Sequence, residues 1–308
     1  MRHIGYPLKA VMLVLLVFIA VNHAAFPLLK ASIAGSQFRA VVAASASDDA
    51  FRGKRVTLFI GNSRIMGGID PKAVMAGSAG RVAYNLAYNG LYLEDLLLLL
   101  DAFIHSCDCT VESVYANPDI FSPWEDEGEV TDLQRFLSAL YPGAMQAVRQ
   151  KDAVYAAILQ LFPLLHFDNE FFLRALYYRL TGRSDQGYAN DFSFAVTPGV
   201  VRRLADLTQV SRPDISAVKK CAATLAGSGI RLVLIEPPYH AIYIENVPGF
   251  AETHAAMEKA LAGAGVAYFD HSRIFEDYPE LFADPLHLNR AGQKRYSSYL
   301  AGLVQPGT

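Results

Sequence analysis

The chain has 308 residues, of which 52% are hydrophobic and 19% charged, with a formal net charge of −3. That is enough apolar material for the core of one large domain or two small ones, and it excludes a disordered chain. A pI near 6.2 leaves no basic surplus for neutralising phosphates, which excludes a dedicated nucleic-acid binder and favours a neutral or polar substrate.

The first element is an apolar run, Tyr6 to Leu29, interrupted only by Lys9, Asn22 and His23. A transmembrane helix needs about 20 residues at about 1.5 Å each, and this run supplies them. Arg2, His3 and Lys9 lie at its start, which predicts a cytoplasmic N-terminus and an extracytoplasmic remainder. The competing reading is a cleaved signal peptide, with small residues around Val21–Ala25 as the processing point. Residues 1–30 are therefore expected to be an anchor or signal segment. Residues 31–50, rich in Ala and Ser, are expected to be a flexible tether.

From Phe51 onward, short apolar runs recur at Arg55–Ile60, Val82–Leu86, Val111–Ala116, Ile230–Ile235 and Val266–Asp270. Their lack of alternation predicts strands buried on both faces of a parallel sheet. Helical patterns fall between them at Leu91–His105, Asp214–Ala226, Phe250–Ala262 and Asn289–Leu303. The alternation predicts an α/β fold, a doubly wound and mainly parallel five-stranded sheet, over residues 51–304.

Residues 121–211 break the rhythm between the third and fourth strands and are too long for an ordinary crossover. Helices are expected at Asp132–Arg149, Ala153–Leu165 and Asn169–Leu180. The aromatic residues there (Phe162, Phe167, Phe171, Phe172, Tyr177 and Tyr178) face either an acyl chain or lipid, as part of a cap over a ligand crevice, or simply pack the insertion. Of three cysteines, Cys107 and Cys109 form a C-x-C pair and Cys221 stands alone. An oxidising compartment permits one bridge, and unpaired thiols are the alternative. No spacing suggests zinc.

Two segments carry candidate chemistry. Ile60-Gly61-Asn62-Ser63-Arg64 places a serine just past the first strand of the sheet, where α/β folds build their sites; the alternative is a helix-capping serine. Asp284-Pro285-Leu286-His287 sets a carboxylate three residues from an imidazole on a turn. There the acid can hold one ring nitrogen while the other meets a serine. Capping of the last helix, with Asn289 as the cap, is the competing use of that turn.

These motifs, in this order at the two ends of the domain, resemble the SGNH (GDSL-like) hydrolase superfamily over residues 56–303. The resemblance implies Ser63 as nucleophile, His287 as base and Asp284 as its partner. It also implies an oxyanion hole built from the Ser63 N–H, Gly90 of Tyr88-Asn89-Gly90, and Asn117 of Asn117-Pro118-Asp119. The family's G-x-N-D block is not reproduced around Asn117, and Asn62 stands where the family name has Asp. The G-N-S-R start, continuing to Gly68-Ile69-Asp70-Pro71, looks most like the cell-envelope branch that modifies polysaccharides and teichoic acids. Arg64, beside the nucleophile, and Tyr239 and His240, after the fourth strand, are expected to be substrate contacts. An α/β-hydrolase elbow fits less well, because Ile65 stands where its second glycine belongs.

The expected reaction is hydrolysis or transfer of an acyl (acetyl) ester on an exported glycan through an acyl-Ser63 intermediate, with no metal or organic cofactor. A membrane-bound acyltransferase supplying the acyl group is a partner that the resemblance implies. A non-catalytic glycan-binding or assembly subunit on the same scaffold is the alternative, and a long-chain lipid esterase is a third reading.

Overall fold

The computed structural model describes residues 5–33, 51–76, 78, 80–88, 90–122, 129–167, 196–205 and 213–304. Its elements in chain order are α1 (Gly5–Ile33), β1 (Arg55–Ile60), α2 (Ser63–Gly68), α3 (Pro71–Val74), β2 (Arg81–Asn85), α4 (Leu93–Ser106) and β3 (Thr110–Ala116). After these come α5 (Asp132–Leu137), α6 (Pro142–Lys151), α7 (Ala153–Leu161), α8 (Pro198–Ala205), α9 (Ile215–Gly227), β4 (Arg231–Glu236), α10 (Ala241–Asn246), α11 (Phe250–Ala262), β5 (Ala267–Asp270) and α12 (Arg290–Val304). The chain divides into two units, Met1–Ala43 with Gly128–Ser184, and Ala44–Glu127 with Asp185–Thr308.

The second unit is the α/β fold expected from the sequence. Five strands pair in the order β2-β1-β3-β4-β5, and all four pairings are parallel. The central strands are buried almost end to end. In β1, Val56, Leu58, Phe59 and Ile60 have no exposed surface, as a strand covered on both faces requires. The chain leaves β1 for β2 on one side and then returns past it to β3, so the order reverses at β1. Crevices form at the carboxyl ends of strands where the order reverses, and the loop after β1 opens there.

α12 lies on this sheet through Tyr296, Leu300 and Val304, spaced four residues apart so that they share one helix face. They join a core that includes Phe59, Ile65, Tyr115, Ile235, Phe282 and Leu288. Tyr296 is also the hydrogen-bond partner of His271 Nδ1 at 2.9 Å. Burial pushes the His271 imidazole down to about 4, against the opposing pull of Asp270.

The unfolded chain therefore takes up that proton near pH 6.5 and the folded chain only near pH 4. Stability is full above pH 6.5 and falls toward pH 4, by up to about 3 kcal/mol. Burial also lowers the pKa of His240, which adds the same sign. Asp270, held down at about 2, acts only below this window. In urea titrations, His271→Gln is expected to flatten the loss of stability between pH 6.5 and 4.5.

The first unit contains α1 and the helices α5 to α7. Within α1, the segment Lys9–Pro27 has a mean hydropathy of 2.2 over an 18-residue window. It is long and apolar enough to cross a membrane or to serve as a signal sequence. The single helix expected over Asp132–Arg149 is broken into α5 and α6 at Pro142, the first residue of α6, because proline cannot donate its missing N–H to the preceding turn. Pro163 likewise ends the helix expected to reach Leu165, and Pro163–His166 form a 3₁₀ turn instead. The tether residues 34–50, the helix expected at Asn169–Leu180, and Phe171, Phe172, Tyr177 and Tyr178 lie outside the described residues. Cys107 and Cys109 are bridged where α4 gives way to β3, and Cys221 is free and buried.

Candidate active site

β1 ends at Ile60, and Gly61-Asn62 turn the chain into α2. Asn62 caps that helix, its Oδ1 accepting from Arg64 N at 3.0 Å. Ser63 is thus the first helical residue and not the cap. Ile65 N and Met66 N both donate to Asn62 O, whereas a residue at the first helical position has no acceptor for its N–H within the helix. Ser63 is half-buried.

The turn is fixed from below by β3. Asn117 Oδ1 accepts from Asn62 N at 3.2 Å, and a Cβ built on Gly61 would collide with that same oxygen and with the Ile65 side chain. Glycine is required at residue 61 because two strand ends meet there. Gly61→Ala is expected to displace the Ser63 turn, cost about 1–3 kcal/mol of stability, and lower turnover by up to about 10²-fold; thermal melts alongside rate measurements check both.

The segment Phe282–Leu288 closes on itself as an antiparallel bridge between its two ends. Ala283 N donates to His287 O at 2.8 Å, and Asn289 N donates to Leu281 O at 2.9 Å. Phe282 and Leu288 anchor the loop in the core, so Asp284 and His287 are presented on a short, stiff excursion. Asn289 does cap α12, its Oδ1 accepting from Gly292 N at 3.0 Å. Capping of α12 by Asn289 therefore leaves Asp284 and His287 free to pair on the same turn.

The three residues that the sequence places 224 positions apart at the extremes meet directly. His287 Nε2 lies 2.8 Å from Ser63 Oγ, and His287 Nδ1 lies 2.7 Å from Asp284 Oδ2. Asp284 Oδ1 also accepts from the backbone N–H groups of Leu286 and His287 at 2.8 and 2.9 Å. Burial alone would raise the Asp284 carboxyl. The His287 hydrogen bond and charge, with the two backbone donors, outweigh it and hold the carboxyl below its usual range. An ionised acid at Nδ1 fixes the neutral tautomer with its proton there, leaving Nε2 to accept from the serine hydroxyl.

The residues expected to touch substrate are placed differently. Arg64 is 6% exposed, and Tyr239 and His240 are 4%. Arg64 Nη1 donates to Glu236 Oε1 and Tyr239 OH, both at 2.6 Å, and to Asp119 Oδ2 at 3.1 Å. Its Nη2 donates to Pro237 O at 2.6 Å, and the guanidinium carbon sits 3.7 Å above the Tyr239 ring. Arg64 therefore points inward, because a guanidinium removed from water must find its acceptors in the protein. Burial opposes its charge, yet Tyr239, Glu236 and Asp119 more than offset this, and its pKa ends above the ordinary value.

His240 caps α10, its Nδ1 accepting from Ile242 N at 3.0 Å, and its ring packs edge-on against Phe282. It supports the Asp284–His287 loop from behind, where its backbone N–H also donates to Pro285 O at 3.1 Å. Burial likewise keeps the Tyr239 phenol protonated.

Asn117 also departs from its expected use. It is completely buried, and its Nδ2 donates to Asp119 Oδ2 at 3.0 Å, so it braces the turn where an oxyanion donor would need an open face. Gly90 has a left-handed φ of 69° and lies in the loop after β2. That loop is tied to β1 by Leu86 N to Phe59 O and Tyr88 N to Gly61 O, both 2.8 Å. α4 starts three residues beyond Gly90, at Leu93, and not directly after it.

No family model matches the sequence, and no curated protein does. Solved structures with a similar fold include an acetyl xylan esterase at 10% identity, covering 81% of this chain and 100% of that one with a TM-score of 0.41. A lipase/acylhydrolase from Enterococcus faecalis matches at 13% identity, 83% and 99% coverage, and a TM-score of 0.38. An acetylxylan esterase from Geobacillus stearothermophilus matches at 13% identity, 82% and 95% coverage, and a TM-score of 0.38. Similarity this low gives no residue its role.

Sequence reasoning missed Asp119 and Glu236. Asp119 Oδ2 collects donors from Arg64, Asn62 Nδ2 at 3.2 Å and Asn117. Glu236 is 1% exposed at the end of β4. The signal that went unused is a carboxylate closing the apolar run Leu232–Ile235, since a buried strand tolerates such a residue only with a cation opposite.

Proposed function

We propose that this chain is a serine-dependent enzyme of ester chemistry, an esterase or O-acyltransferase, with Ser63 as nucleophile, His287 as general base and Asp284 as the group that orients and charges it. The observation that carries this reading is the 2.8 Å hydrogen bond from Ser63 Oγ to His287 Nε2, backed by Asp284 at 2.7 Å. His287 takes the hydroxyl proton as Oγ attacks the ester carbonyl. The N–H of Ser63, joined by that of Gly90, receives the oxyanion. His287 then returns the proton to the departing alcohol, leaving acyl-Ser63. Water releases the acid in an esterase, and a sugar hydroxyl takes the acyl group in a transferase.

The substrate class follows from two supports. The G-N-S-R start, continuing to Gly68-Ile69-Asp70-Pro71, resembles the cell-envelope branch of the SGNH superfamily, and α1 is apolar enough to hold the chain at a membrane. On this reading the catalytic unit faces the extracytoplasmic side, acts on acetyl or similar esters of an exported glycan, and, as a transferase, works with a membrane-bound acyltransferase. A purely glycan-binding role would leave the Ser63–His287–Asp284 geometry without a use. The test is hydrolysis of p-nitrophenyl acetate and longer esters by the full chain in detergent, together with labelling of Ser63 by a fluorophosphonate. Turnover with labelling at Ser63 supports the enzyme; neither, in folded protein, overturns it in favour of the binding subunit.

A further inference from the structure

In the first unit, one stripe of α1 is covered by the helical insertion. Phe18 meets Phe162 with ring centroids 5.6 Å apart. Phe26 stacks on Phe167 at 5.6 Å and lies 5.9 Å from His166. Asn22, four residues from each, is 4% exposed while the adjacent Val21 is 56% exposed. Positions 18, 22 and 26 share a helix face that touches the insertion: Asn22 is buried in it, and Phe18 lies at its edge, 57% exposed. Val11 to Val17 and Val21 are exposed.

The insertion carries a second outward apolar stripe. α7 has no charged residue between Ala153 and Leu161. Its inner face, Ala156 and Leu159, is completely buried in a small core with Val148. On the outer side, Val154 (71% exposed), Ile158 (39%) and Leu161 (44%) are followed by Leu165 (48%) in the next turn. A helix that is apolar on both sides does not sit comfortably against water.

The geometry points to the insertion as a second membrane element, with α7 and the Pro163–His166 turn dipping into the lipid acyl chains beside α1. This rests on the reading that α1 is retained as an anchor. The span Lys9–Pro27 is 19 residues long, about 28 Å of helix, and Phe18 lies at its midpoint. A ring packed against Phe18 is drawn to acyl-chain depth with it. α7, at nine residues, extends only about 13 Å and cannot cross a hydrocarbon core of about 30 Å, so it enters and returns.

The turn that follows suits this placement, since irregular backbone at membrane depth must find its partners inside the protein. Pro163 has no N–H to satisfy, and Phe162 N, Leu165 N and Phe167 N donate to Ile158 O, Phe162 O and Leu164 O. His166 Nδ1 lies 2.8 Å from Ser138 Oγ and 2.9 Å from Arg135 O. The occupant of the outer stripe is therefore lipid and not a second protein.

The test places an environment-sensitive NBD label on single cysteines at Val14, Val154, Leu161 and Lys219 in the full chain, in a Cys221→Ser background, reconstituted in phosphatidylcholine vesicles. Val14 reports the anchor and Lys219, exposed on α9, the aqueous side. The inference expects blue-shifted emission at Val14, Val154 and Leu161, with most of it lost when doxyl-labelled acyl chains are included, and no change at Lys219. Quenching at Val14 with water-like emission at both Val154 and Leu161 overturns the inference and leaves the anchor standing. Water-like emission at Val14 as well overturns both.

Discussion

Ser63→Ala is expected to lower ester turnover by about 10⁴- to 10⁶-fold, with His287→Ala falling in the same range, and the double variant is expected to be little worse than either alone. The non-additivity follows from the geometry. Ser63 Oγ and His287 Nε2 share one hydrogen bond of 2.8 Å, so removing either atom removes the same proton transfer. Asp284→Asn is expected to cost less than either, because two backbone N–H groups still hold the loop, while the wrong tautomer reaches the serine. Steady-state rates and burst amplitudes with p-nitrophenyl acetate check the series. A Ser63→Ala variant that retains full turnover would sink the mechanism.

The second large effect concerns stability. Glu236→Leu is expected to destabilise the fold by about 3 kcal/mol, because it removes the most buried counter-charge of a guanidinium in a site with almost no solvent. Arg64 and Glu236 side chains are 4% and 2% exposed, and the carboxylate that remains on the same nitrogen, Asp119, is farther away at 3.1 Å and 23% exposed. Paired removal, Arg64→Met with Glu236→Leu, is expected to recover much of the loss, as apolar groups of similar volume often stand in for buried ion pairs at little cost. The two chemical denaturation midpoints separate these cases. Turnover is expected to drop in the paired variant even where stability returns, since Arg64 follows Ser63, the proposed nucleophile, and ties its turn to the ends of β3 and β4 through Asp119 and Glu236.

Much of the fold can be read from the sequence because buried parallel strands announce themselves as unbroken apolar runs. The run Arg55–Ile60 and the helix Phe250–Ala262 fall where the pattern puts them. The meeting of Ser63 with Asp284 and His287 is also legible, since each motif sits at the carboxyl end of its strand or on the turn before the last helix. Arg64 is the instructive departure. A charged residue beside a nucleophile reads as a hand held out to substrate, and nothing local says otherwise. Its acceptors come from residues 55, 172 and 175 positions away, so its inward course is a property of the assembled sheet. Asn117 misleads for the same reason, its amide being taken by Asp119 two residues on and by the turn across the strand gap. The breaks at Pro142 and Pro163, by contrast, were written in plain residues.

The separation of 224 positions between the two halves of the reactive pair also sets a clock. At roughly 5–20 residues per second of synthesis, about 10 to 45 s pass between the appearance of Ser63 and that of His287. During that interval β1, β2 and β3 wait for β4, which pairs with β3 across the 116–231 gap. On the proposed mechanism the serine has no base while it waits, so the nascent chain is chemically silent, and any polypeptide cut short before His287 remains so. If Ser63 is the nucleophile proposed, a Ser63-directed probe therefore counts only molecules synthesised past His287.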